Sequence, residues 1–228
     1  MEYTFWAEIP LFQGLSSEDI ETVSRLFTCK TYSKGSLVFA ELDVGTTAYV
    51  VNTGVIRVYA TTKGREHTVD LFGKGDFFGD LEVIHPSNVR VLSAVAMSDA
   101  VLFAIKKESF ERILADYPMI KEHFLLLQMN RLILSNQLLH EMKFHDARAR
   151  AIFTLSRLYQ RFGIQEQGQY WIDLRLTHQQ IADMIGTLRE TATLVLKNLQ
   201  DQKIINIHHQ RITVLDLEYL MNYTEADM

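Results

Sequence analysis

The chain has 228 residues, 47% hydrophobic and 22% charged, with a formal net charge of −5 and one cysteine, a length that allows one or two domains. No run approaches the roughly 18 apolar residues of a membrane span, and Met1-Glu2-Tyr3-Thr4-Phe5-Trp6 lacks the basic segment of a secretory signal, so a cytoplasmic location without membrane association is expected. Cys29 cannot form an intramolecular disulfide or supply the about four thiolates of an iron–sulfur cluster, and neither residues 1–145 (14 basic, 18 acidic) nor 146–228 (9 basic, 10 acidic) carry the basic excess that marks a nucleic-acid binder.

Residues 1–15 read as an irregular aromatic stretch. Ser16, followed by Glu18 and Asp19, then starts a short helix to about residue 27. From residue 29 to about 105, short β-rich runs alternate with glycine turns. The strand candidates are 36–40, 47–52, 55–61, 67–72, 89–97 and 100–105. Many short strands at even spacing point to a barrel or sandwich.

At Lys106 the period becomes helical. Phe110, Ile113, Leu114 and Tyr117 fit a short helix ending at Pro118. A long helix over 119–143 follows, in which Leu125, Met129, Leu132, Asn136 and Leu139 step by 4, 3, 4 and 3. That is a two-heptad seam, and a polar Asn136 within it fixes register. The alternative is a helix packed on its own domain. Residues 145–162 read as a further helix, 163–168 as a loop and 170–174 as a strand.

Thr177-His178-Gln179-Gln180 has the form of a capping box opening a helix to Ile185, with a sharp turn at Gly186. Thr187-Leu188-Arg189-Glu190 reads as a second capping box, opening a helix to about residue 200 with Leu188, Ala192, Val195 and Leu199 inward. Two capped helices joined at a glycine form a helix-turn-helix. Its second helix presents Arg189, Glu190, Thr191, Thr193, Leu194 and Lys197 as DNA-reading candidates. Arginine pairs with guanine and glutamate accepts from the cytosine amino group, and the threonines suit phosphate. Thr177, His178 and Gln179 at the first helix's start are further DNA-binding candidates. The hairpin over 204–215, turning at His208-His209-Gln210, reads as a wing with Arg211 near phosphate. The bland alternative is that Glu190 closes its capping box and Arg189 is a solvated first-turn residue. His208 and His209, without further ligands nearby, make a poor metal site, and no metal ligand is assigned.

Residues 176–205 resemble the DNA-binding signature of the CRP/FNR transcription regulators, through Gly186, Arg189-Glu190-Thr191 and Leu196-x-x-Leu199. The resemblance extends to nearly the whole chain. Lys34-Gly35-Ser36, Gly54, Lys63-Gly64-Arg65-Glu66 and Gly75-Asp76-Phe77-Phe78-Gly79-Asp80-Leu81 are similar to the turns of that family's cyclic-nucleotide-binding-type β-roll. The resemblance implies an α+β fold: a β-roll sensor over 1–118, a dimerisation helix over 119–143 and a winged helix-turn-helix over 144–228. It implies that Arg189 and Glu190 read a guanine and the neighbouring pair. Leu194 stands where relatives place a third reading arginine, which suits a thymine methyl instead. In the sensor, Gly79, Asp80, Leu81, Arg90 and Val91 match the nucleotide cassette, with Arg90 ten residues after Asp80 and in line for the cyclic phosphate. Asp80 replaces the family glutamate and Val91 a hydroxyl residue, and His85-Pro86-Ser87-Asn88 interrupts the anion loop. Cyclic nucleotide, another small effector and an effector-free pocket therefore all stay open, as does an ion pair of Arg90 with Asp80 or Asp99. His67 and His85 lack a haem-specific spacing, so haem is not expected.

The resemblance implies a homodimer on double-stranded DNA with a palindromic operator, its two reading helices about 34 Å apart. A hinge near 144–147 would rotate the reading domains, and RNA polymerase would be a partner for an activator. A regulatory module acting through protein partners is the rival. No nucleophile elbow, P-loop lysine, His-Glu-x-x-His or paired-carboxylate motif appears, so catalysis is not expected.

Overall fold

The structure, a computed structural model, describes residues 3–223. The chain divides into two compact units between residues 133 and 134, within its longest helix.

The first unit opens with α1 (Tyr3–Glu8), a 3-10 turn (Pro10–Phe12) and α2 (Ser17–Ser24). The opening stretch is thus helical rather than irregular, because its aromatics have a surface to cover: Trp6 lies 4.7 Å from Phe27 and 5.0 Å from Phe103, centroid to centroid. Ser16 caps α2 as expected, accepting from the Asp19 amide. Strands β1 (Thr28–Tyr32), β2 (Leu37–Phe39), β3 (Thr47–Thr53), β4 (Ile56–Thr62), β5 (Arg65–Phe72), β6 (Phe77–Phe78), helix α3 (Leu81–Ile84), β7 (Ser93–Ala96) and β8 (Ala100–Lys106) follow. They form two antiparallel sheets, ordered β1-β8-β3-β6 and β2-β7-β4-β5.

Side chains alternate across each strand, and this alternation divides the core. Tyr49, Val51, Leu102 and Ala104 face the interior of the roll, with Ile56, Val58 and Phe78. Their neighbours Ala48, Val50, Phe103 and Ile105 face the helices. The expected strand over 89–97 is shorter, with Val89 making only an isolated bridge to Val44. Strand β1 and the two-residue β6 were not expected. Helix α4 (Lys107–Asp116) and α5 (Pro118–Phe144) complete the unit's elements. Pro118 occupies the first position of α5, where a missing N–H costs nothing. Only Ile120 and Phe124 of α5 are buried, on the helix-side core.

The second unit contains the end of α5, then α6 (Ala147–Phe162), β9 (Gly163–Glu166), β10 (Gln169–Arg175), α7 (His178–Ile185), α8 (Arg189–Asp201), β11 (Ile205–His208), β12 (Arg211–Val214) and α9 (Leu217–Asn222). The loop expected over 163–168 is partly strand: β9 pairs with β10 through a two-residue turn at Gln167 and Gly168, both with positive φ. The sheet order is β11-β12-β10-β9. Ile152, Leu155, Ile181, Ile185, Leu196 and Leu199 are fully or almost fully buried where the three helices meet. Among the described residues no helix is long and apolar enough to cross a membrane.

Candidate nucleic-acid interface and sensor pocket

The capping box at Thr177 forms in full. Thr177 Oγ1 accepts from the Gln180 amide at 3.2 Å, and Gln180 Oε1 accepts from the Thr177 amide at 2.9 Å. Helix α7 ends at Gly186, which is left-handed at φ 65°, ψ 49°. An L-residue there is strained, and a Cβ would also meet the Met142 methyl at 3.3 Å.

The second capping box does not form. Leu188 is the N-cap of α8 and makes no side-chain cap bond; the Thr187 amide instead donates to Ala182 O at 3.0 Å. Glu190 is therefore not spent on closing the helix. Because α8 starts at Arg189, its buried stripe is Ala192, Leu196 and Leu199. Leu188, expected inward, is 65% exposed.

Arg189, Glu190, Leu194 and Lys197 lie exposed on α8, Leu194 at 69%. Thr191 is half-buried. Thr193 has a structural engagement: its hydroxyl donates to Arg189 O at 2.8 Å and lies 2.9 Å from His178 Nδ1. That bond ties the start of α7 to the second turn of α8. Gln179 is exposed and donates to Asp183 at 2.8 Å. The wing is a two-residue hairpin with His209 and Gln210 both at positive φ, 49° and 65°, the type I′ geometry that matches strand twist. Arg211 is exposed, its guanidinium 4.4 Å above the Trp171 ring centre. The first N–H groups of α8, which has no side-chain cap, and the exposed Arg189, Lys197 and Arg211 offer donors and positive charge for phosphate.

The sensor pocket is built differently from the expectation. Arg90 is 2% exposed. Its NH1 donates to Gly79 O at 2.8 Å and to Glu82 Oε2 at 2.9 Å, and its NH2 donates to Thr47 O. The partner is neither Asp80 nor Asp99 but Glu82, on the inward side of α3, while neighbouring Leu81 is 53% exposed. Gly45 leaves room for this pair: a Cβ there would lie 2.6 Å from Glu82 Cβ and 3.3 Å from the guanidinium carbon. Arg90 Nε is buried without an acceptor.

Asp80 is 1% exposed and is clasped by α5. Gln128 donates to it at 2.7 Å, Arg131 NH1 at 2.9 and 3.0 Å, and Arg131 NH2 reaches Phe77 O. Between the two arginines runs an aromatic series. The Phe39–Tyr49, Tyr49–Phe78 and Phe78–Phe72 ring centres are 6.1, 5.3 and 5.3 Å apart. Arg90 lies 4.0 Å over Phe39 and Arg131 5.7 Å over Phe72. Burial pushes the Tyr49 phenol up to about 12, with Tyr32 adding and the Arg90 charge opposing. Val91, in the hydroxyl position, is 61% exposed.

A cyclic phosphate would need the Arg90 donors. Glu82 holds one of them and adds negative charge beside the site, and Asp80 is already bonded to two side chains. The residues as arranged do not fit a cyclic nucleotide. Sequence reasoning missed Glu82, Gln128 and Arg131.

Along α5, the seam residues Leu125, Met129, Leu132, Asn136 and Leu139 are all exposed, the four apolar ones at 55–65%. Leu126 and Ile133 widen the apolar face, at 50% and 53%. The helix is not spending this face on its own unit.

Comparison with known proteins bears on both regions. The family model for the cyclic nucleotide-binding domain matches residues 29–117, and that for the Crp-like helix-turn-helix domain matches 149–223. The chain is 28% identical to the CRP-like cAMP-activated global transcriptional regulator of Mycobacterium tuberculosis, over 94% of this chain and 96% of that protein. It is 30% identical to the global nitrogen regulator of Synechococcus elongatus, over 81% and 84%. Among solved structures, the catabolite activator protein of Thermus thermophilus is similar, with a TM-score of 0.54 at 27% identity over 93% and 98% of the two chains.

Proposed function

This chain belongs to the CRP/FNR family of transcription regulators, and from that premise we propose that it works as a homodimer reading a palindromic operator through α8. The observation that carries this reading is the outward start of α8, where Arg189, Glu190 and Leu194 stand exposed and uncommitted to a cap. Arg189 bonds a guanine bidentately, Glu190 accepts from a cytosine amino group, and Leu194 packs on a thymine methyl. Lys197, Arg211 and the wing hold phosphates and fix register. Thr177, His178 and Gln179, at the start of α7, approach the backbone. Two copies join along the apolar face of α5, and RNA polymerase is the partner where the protein activates. Arg189→Ala is expected to cost about 1–3 kcal/mol on the operator and to relax discrimination at its base pair. Gel shifts on operator and random duplex separate the outcomes. An equal loss on both assigns Arg189 to phosphate or structure instead.

The β-roll passes its state to α5 through Asp80, Gln128 and Arg131. An effector acts there only by preferring one state over the other. The pairing of Arg90 with Glu82 favours a second reading of this unit, in which the pocket is closed by the chain's own carboxylate and the regulator works without cyclic nucleotide. Titration calorimetry with cAMP is expected to give no binding heat. Micromolar binding of one cAMP per chain would overturn this second reading and leave the DNA assignment standing.

A further inference from the structure

We propose that His140, Glu141 and His145 form a binding site for a borderline divalent transition-metal ion such as Zn2+, at the junction of α5 and α6. One ligand atom from each of the three lies within 4.8 Å of the others. His145 Nε2 is 3.8 Å from Glu141 Oε1, and the two imidazole centres are 5.5 Å apart. Zn–N bonds of about 2.0–2.1 Å put neighbouring tetrahedral donors roughly 3.4 Å apart. Rotation of the exposed His140 side chain supplies the remaining closure, while the His145 side chain, 8% exposed, holds its place. Two imidazoles and a carboxylate suit Zn2+, Co2+ or Ni2+ rather than Ca2+ or Mg2+. Three protein ligands leave a fourth position for water.

Position in the fold adds to the donor chemistry. His140 and Glu141 lie near the C-terminal end of a 27-residue helix and His145 directly follows it, where the backbone carbonyls favour positive charge. The spacing is His-Glu followed by His five residues after the first, one longer than the His-Glu-x-x-His pattern. The third ligand therefore falls beyond α5, in the connection to α6.

That connection is tied to the helix-turn-helix. The His145 carbonyl accepts from Arg150 NH1 at 2.7 Å, and the same guanidinium donates to Ile185 O at 2.7 Å and to Gly186 O at 3.4 Å. An ion bound to His145 would fix the backbone that Arg150 shares with the turn between α7 and α8. The consequence for DNA rests on α8 being the reading helix; the ion site itself does not.

The test uses the full-length protein, stripped with chelator and titrated with Co2+ by visible absorption and with Zn2+ by calorimetry. The expected result is one ion per chain, with affinity falling about tenfold or more in both His140→Asn and Glu141→Gln, since affinity follows ligand identity and number. The doubly substituted His208→Asn, His209→Asn protein should bind as the native one does. A Zn2+-dependent rise in melting temperature, present in the native protein and absent from the two junction variants, reads the same site independently. The proposal is overturned by three results: no ion taken up at about millimolar Zn2+, affinity unchanged in both junction variants, or loss confined to the 208–209 variant. If operator binding by the native protein is itself absent, the reading of α8 fails, and the titration still decides the ion site.

Discussion

Arg90 and Glu82 are both almost fully buried and meet at 2.9 Å. Removing one partner of such a pair leaves an uncompensated charge inside the protein. Glu82→Ala is therefore expected to destabilise the sensor unit by about 3–5 kcal/mol, measured by urea unfolding of the whole chain, with added inorganic phosphate recovering part of the loss. A loss below about 1 kcal/mol, the range of exposed pairs, would mean that water reaches the arginine. The resemblance to the nucleotide cassette made Arg90 legible, ten residues after Asp80, but not its partner. Which carboxylate it meets depends on how α3 turns, Glu82 inward and Leu81 outward, and a four-residue helix carries no periodicity to read. The phase of α8 departs from the sequence expectation for a related reason. Counting from a capping box at Thr187 puts Leu188 in the buried stripe, whereas the helix begins at Arg189 and buries Ala192, Leu196 and Leu199. The arginine–glutamate pair stood out all the same, because polar residues at a helix start are visible whatever the phase.

Among the elements, α5 was the plainest in sequence. Its 3–4 spacing needs only a pattern of apolar residues, and the five residues that the spacing picks out are all exposed. Strand β1 was the least plain: four of its five residues are exposed and the fifth half-buried, so no alternation marks it, and its place comes from pairing with β8. An apolar face as large as that on α5 is not left in water without reason. Leu132→Glu combined with Leu139→Glu is expected to convert the proposed dimer to monomer at micromolar concentration in sedimentation velocity. Far-ultraviolet dichroism should stay near native, because neither side chain packs in its own unit. A variant that stays dimeric would move the subunit contact off this helix.

At the level of the whole molecule, an acidic chain that reads DNA must concentrate attraction locally, since its net charge of −5 opposes approach. Two-fold symmetry then dictates the form of the target. Selection from random duplexes is expected to return inverted half-sites with centres one turn, about 10–10.5 base pairs, apart; a lone asymmetric site would speak against paired reading helices. The clasp of Arg131 on Asp80 has a consequence at this scale. Arg131 is followed immediately by Leu132, so one helical turn serves the barrel on one side and, in the proposed dimer, the sister subunit on the other. Any coupling between two such contacts is reciprocal. If dimerisation favours the closed clasp, an event that opens the clasp lowers subunit affinity by the same factor, and rising abundance holds the clasp shut by mass action. The regulator would then respond to its own copy number, before any small molecule arrives.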